Sequence, residues 1–125
     1  QKGIYAQQEL QVNCELEQKI QACNQLQNSY EININFLTNR NENYNHVYKQ
    51  TFNPDWSDKN YINKNIYSDI LHYRQSLIDN ICYNNNLIDY YKKQLQKNIN
   101  ISSFLQKIYF FINFNIKKPN YYKYF

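Results

Sequence analysis

Between Leu16 and Leu37 one stripe of side chains constrains the fold more than anything else in the chain. Leu16, Ile20, Cys23, Gln27, Tyr30, Ile34 and Leu37 recur at intervals of 4, 3, 4, 3, 4 and 3 residues, with Gln27 the one polar member. A mean step of about 3.5 residues keeps one face of a helix turned toward a second helix, whereas a strand needs a step of two. Gly3 is the only glycine and there are two prolines, so nothing interrupts the pattern once it starts. The Gln, Glu and Lys between the stripe positions are good helix formers with a solvated face. The spacing predicts a first helix over residues 4–37.

Residues 38–53 are polar, with Asn39, Asn41, Asn43 and Asn45 alternating through them, and read as a loop. Asn53-Pro54-Asp55-Trp56 then has the form of a helix start: a cap, a proline suited to the first helical position and an acid in the first turn. Trp56 is expected as a packing anchor there. The second helix is expected over 54–98, with a seam of Ile66, Ile70, Tyr73, Leu77, Ile81, Asn84, Ile88, Tyr91 and Leu95. The step from Leu77 to Ile81 follows another step of four and breaks the heptad, and Asn84 to Asn86 is its weak point. Ser103 and Gln106 fit a capping box, which opens a short third helix with Phe104, Leu105, Ile108, Phe111 and Ile112 on one face. A strand through Ile112, Phe114 and Ile116 is the competing reading. The fold expected is therefore mainly α: two long helices forming an antiparallel, coiled-coil-like hairpin, plus a short C-terminal helix or strand in a basic, aromatic segment, residues 99–125, all in one domain. If Leu37 faces Ile66, Cys23 falls within two residues of Cys82, and a disulfide between them is one expectation. Three buried free thiols are the other. Cys14 is about 13 Å from Cys23 along one helix, too far to bridge.

Composition narrows the chemistry. One glycine cannot build a P-loop or a dinucleotide-binding turn, which excludes the common nucleotide enzymes. The three cysteines form no zinc spacing, and His46 and His72 belong to no H-x-x-x-H pair. Asp69 and His72 could offer two metal ligands on one helix, which are too few. No nucleophile–base arrangement is visible, so no catalytic residue, cofactor, metal or small-molecule substrate is expected. The 22 Asn and 14 Tyr reflect codons rich in A and T as much as function.

Charge is the least ordinary feature. The net charge is +4, yet residues 92–125 hold seven lysines and no acid, so the whole positive excess lies at the C-terminal end. There Lys107, Lys117, Lys118 and Lys123 interleave with Tyr121, Tyr122, Tyr124 and Phe125. Such a segment suits an acidic protein partner or an anionic membrane surface. Single-stranded nucleic acid is a weaker fit, because neither arginine lies in it. No stretch reaches the ~20 apolar residues that cross a bilayer. The sequence contains no Met, which leads to the expectation of a processed or front-incomplete chain. A non-catalytic accessory subunit of a larger assembly follows as the leading reading, with a mitochondrial membrane complex (inner membrane or intermembrane space) as its setting. The alternatives are a secreted or granule-stored coiled-coil protein, in which Asn100 of Asn100-Ile101-Ser102 becomes a glycosylation acceptor, and a weak single-stranded nucleic-acid binder.

Overall fold

Two long helices account for nearly all of the described residues. In the computed structural model, which describes residues 2–53 and 64–117, α1 runs Lys2–Gln50 and α2 runs Lys64–Lys117. They pack against each other as an α-hairpin, and among the described residues there is no strand. The packing divides into two compact units, Gln1–Tyr30 with Gln94–Phe125, and Glu31–Lys93.

The first-helix stripe is where the sequence places it. Leu16 is buried, and Ile20, Cys23, Gln27, Tyr30, Ile34 and Leu37 are half-buried. The helix does not stop at Leu37, however. The same 3-and-4 spacing continues through Asn41, Tyr44, Tyr48 and Thr51, all buried or half-buried, so the expected loop at 38–53 is helical to Gln50. Asparagine has a low helix propensity, but packing on a partner helix overrides it. Local bonds assist: Thr38 Oγ1 donates to the Ile34 carbonyl at 2.7 Å, and Arg40 Nε donates to the Tyr44 hydroxyl at 3.2 Å.

The second seam is also more regular than its sequence suggests. Tyr73 is 45% exposed, and Arg74 points inward in its place. With Arg74 in the seam, Ile70, Arg74, Leu77, Ile81, Asn84, Ile88, Tyr91 and Leu95 step 4, 3, 4, 3, 4, 3 and 4 without a break. An arginine can take this position because it has something to bind. Its Nε donates to Thr51 Oγ1 at 2.9 Å, its Nη2 donates to the Thr51 carbonyl at 2.8 Å, and its Cζ lies 3.8 Å from the centre of the Phe52 ring. The guanidinium thus satisfies the carboxyl end of α1, where free carbonyls carry partial negative charge.

No helix break occurs near Asn98, and no third element exists among the described residues. The seam carries on through Asn98, Ser102, Leu105, Tyr109 and Ile112. Ser102 is buried within it, so the residues read as a capping box lie in mid-helix, and both the short-helix and the strand readings give way to one continuous α2. The expected start at Asn53-Pro54-Asp55, including Trp56, falls at 54–63, outside the described residues apart from Asn53.

Polar contacts fix the register. In the unit Glu31–Lys93, Asn84 Nδ2 donates to Asn41 Oδ1 at 3.0 Å and Asn41 Nδ2 donates to Asn85 Oδ1 at 2.9 Å. In the other unit, Asn98 Nδ2 donates to the Cys23 carbonyl at 2.7 Å, and the Tyr109 hydroxyl donates to Glu17 Oε1 at 2.6 Å. Facing residues on α2 therefore lie roughly three heptads further along than a Leu37–Ile66 pairing requires. The longer α1 causes the shift. Cys23 meets the level of Asn98 and not that of residue 80. All three cysteines are free thiols, with Cys23 half-buried and Cys14 and Cys82 exposed, so the structure has neither the expected Cys23–Cys82 bridge nor three buried thiols.

Candidate interaction surface

With the seam assigned, each remaining side chain has a defined side of the hairpin. In heptad letters the seam is a and d, and positions e and g flank it. In an antiparallel pair the two e rows share one side and the two g rows share the other. The e side mixes polar side chains with apolar ones such as Leu10, Leu71 and Ile99. In the unit of Gln1–Tyr30 with Gln94–Phe125 it carries Glu17 and Asn113; Asn13 Nδ2 donates to Asn113 Oδ1 at 3.2 Å, and Asn113 Nδ2 donates to the Tyr109 carbonyl at 2.9 Å. The Tyr109 phenol is held above its usual value of 10.0, first by its hydrogen bond to the Glu17 carboxylate, then by burial and by the charge of Glu17. In the unit Glu31–Lys93 the e side forms an open groove of about 510 Å³, whose lining includes Asn45, Asn85, Asp89 and Lys92. Its lining mixes amides and charged groups with the side chain of Ile88.

The outward side of α2 near its C-terminal end is different. Phe104, Phe110 and Phe111 are 64%, 72% and 64% exposed, and Ile101 and Phe114 are exposed beside them. Phe110 and Phe114 stack on each other, ring centres 6.3 Å apart. Leu105, Ile108 and Ile112 are half-buried, as the expected apolar face has them, but Phe104 and Phe111 of that same face point out. The signal that separates them was present in the sequence. Carrying the 3-and-4 seam beyond Leu95 places Leu105, Tyr109 and Ile112 inside and leaves both phenylalanines at an outer position seven residues apart.

Of the residues singled out for docking, Lys107 is exposed on this stretch of α2, and Lys117 ends the helix. Lys118, Tyr121, Tyr122, Lys123, Tyr124 and Phe125 lie outside the described residues. Asn100 is exposed and accepts a hydrogen bond from Gln96 Nε2 at 3.0 Å, while Ser102, two residues on, is buried and accepts one from Gln106 Nε2 at 3.0 Å. His46 bonds Gln50 within its own helix, Nε2 to Nε2, at 3.0 Å. Asp69 and His72 are both exposed. Among the described residues no three His, Cys, Asp or Glu side chains gather as metal ligands, and no helix is long and apolar enough to cross a membrane. Comparison with protein-family models, curated proteins and solved structures gives no match for this chain.

Proposed function

We propose that this chain is a non-catalytic structural subunit of a larger protein assembly, held there by its helices and by the basic, aromatic end of α2. The observation that carries the reading is the exposure of Phe104, Phe110 and Phe111 on a stretch of helix that has lysines and no acids. Single exposed apolar residues are ordinary, but several exposed phenyl rings gathered on one short stretch of helix mark an interaction surface. Among the described residues the buried apolar side chains are few: Leu16 in the unit that carries the rings, and Ile70, Leu77 and Ile88 in the unit Glu31–Lys93. A chain that buries so little by itself gains stability by adding partner surface.

The lysine excess sets the polarity of what it meets: an acidic protein surface within the assembly, with an anionic membrane alongside. A mitochondrial membrane complex is the setting proposed first. Native electrophoresis of a gentle extract from the source cells tests the reading, with the chain located by antibody. The chain is expected in a band well above its own 15.4 kDa, and in the inner-membrane fraction. Migration as a free monomer overturns the subunit reading, and a band that fractionates elsewhere overturns the mitochondrial setting alone.

A further inference from the structure

From the geometry we infer that the g side of the unit formed by Gln1–Tyr30 and Gln94–Phe125 is a seat for a third α-helix, an amphipathic one supplied by a protein partner and acidic along the edge that lies over α2. The inference rests on the subunit reading above and gives the partner its chemistry.

On α2, Ile101, Phe104, Ile108 and Phe111 follow one another at steps of 3, 4 and 3 residues, on the g and c positions just outside the seam. Ile101, Phe104 and Phe111 are exposed and Ile108 is half-buried. This is a second coiled-coil stripe on a helix whose first stripe is already occupied. On α1, the matching flank carries Tyr5, Val12, Lys19 and Leu26, seven residues apart and all exposed. The Glu17–Tyr109, Asn13–Asn113 and Cys23–Asn98 bonds set Leu26 near the level of Ile101 and Val12 near that of Ile108 and Phe111. An apolar row on α2 beside a row on α1 that is apolar except for Lys19 makes the trough that a third helix fills in a three-helix bundle. From Val12 to Leu26 the trough runs about 20 Å, or four helical turns.

The period of the stripe identifies the occupant as helical, and the charges select which helix. Lys97 and Lys107 stand on the α2 rim and Lys19 lies among the α1 flank residues, against one acid, Glu15, on the α1 rim. A second copy of the same face would bring lysines against lysines, which disfavours self-pairing. An occupant with glutamates along its α2-side edge, and without them along its Glu15 side, matches the seat.

Fluorescence anisotropy with the full 125-residue chain tests this. The probe is a labelled synthetic helix of four turns or more, with leucine at a and d and glutamate along one flank, compared with the same helix carrying lysine there. The glutamate helix is expected to bind at least tenfold more tightly, with an affinity that falls as salt rises. The double variant Phe104→Ser/Phe111→Ser is expected to lose at least tenfold, with its circular dichroism unchanged. Because removing phenyl rings could also disturb the fold, Lys97→Glu/Lys107→Glu gives a second arm. That variant changes only exposed charges and is expected to invert the preference between the two helices.

Equal binding of both helices, or no binding of either, overturns the inference. So does phenyl-dependent self-association in sedimentation, or phenyl-dependent binding to phosphatidylserine vesicles with no response to the glutamate helix. A chain that migrates in a large native assembly yet ignores the glutamate helix sinks this inference alone. A free monomer in the cell extract removes the reading beneath it.

Discussion

Arg74 shows how a single side chain can change the apparent pattern of a helix. Read as a list of apolar residues, the second seam takes Tyr73 and stumbles, whereas Arg74 restores the heptad by finding acceptors at the end of α1. Thr51 completes the arrangement. Its hydroxyl donates to the Tyr48 carbonyl at 2.6 Å while accepting from Arg74, and the backbone beyond closes through Phe52 N to Lys49 O and Asn53 N to Gln50 O. Arg74→Ala is expected to cost about 2 kcal/mol, from lost bonds to a charged donor and a lost cation–π contact. Arg74→Lys should recover only part, since an ammonium cannot span Thr51 with a planar fork. Chemical denaturation of the three proteins measures both effects. Tyr109 offers a separate test. Its phenol is raised, so its contribution to stability is complete below the ordinary tyrosine range and is lost as pH climbs through the raised value. Ring-labelled NMR titration should find Tyr109 ionising above the ordinary tyrosine value of 10.0, and Glu17→Gln should lower it toward that value.

At the scale of the helices, the register is held by amides more than by grease. Asn41 and Asn84 are buried and bonded to each other, with Asn85 and the Ile81 carbonyl as further acceptors for Asn41. Buried asparagine in a coiled-coil seam specifies alignment at some loss of stability. Asn84→Leu alone strips Asn41 Oδ1 of its donor and is expected to destabilise by about 1–3 kcal/mol. Asn41→Leu/Asn84→Leu together should be neutral or stabilising while loosening the alignment. A thermal melt reads the first effect, and spin-label distances across the hairpin read the second. Alignment itself can be checked chemically: in a Cys14→Ser/Cys82→Ser background, Asn98→Cys should form a bridge with Cys23 on mild oxidation, while the natural Cys23 and Cys82 should not.

These polar layers also explain which parts of the helices could be read in advance. The Leu16 to Leu37 stripe was legible because its apolar members carry the period by themselves. Beyond it, Asn41 keeps the same period with an amide, and a hydrophobic pattern is blind to an amide that is satisfied by Asn84 across the interface. Ser102 hides the period in the same way near the other end, because a buried serine does not read as a core residue and its neighbour Ser103 reads as a helix cap. An α1 ending at Leu37 would bring Cys23 to the level of Cys82, whereas its extension to Gln50 brings Cys23 to that of Asn98. The lysine-rich end and its aromatics were legible from composition. That Phe104 and Phe111 face outward was not, because it depends on the continuity of α2 through Ser102 and Ser103.

For the molecule as a whole, the phenyl cluster and the fold can be separated experimentally. Phe104 and Phe111 contribute little to the hairpin's own core, so replacing both with Gln is expected to shift its stability by no more than about 0.5 kcal/mol per site. The same variant should fall out of the high-mass band on native electrophoresis. Parallel melting curves and gels of the two proteins make the comparison. A variant that melts much earlier would mean the rings belong to the hairpin and not to a partner.

Those outward rings also bear on how much of the protein a cell can keep. A copy synthesised without its neighbour displays Phe104, Phe110 and Phe111 to solvent, and exposed phenylalanine is what chaperones and quality-control proteases bind. Orphan copies would be culled while docked ones are shielded. The abundance of the chain would then be set by the supply of its neighbour and not by its own rate of synthesis.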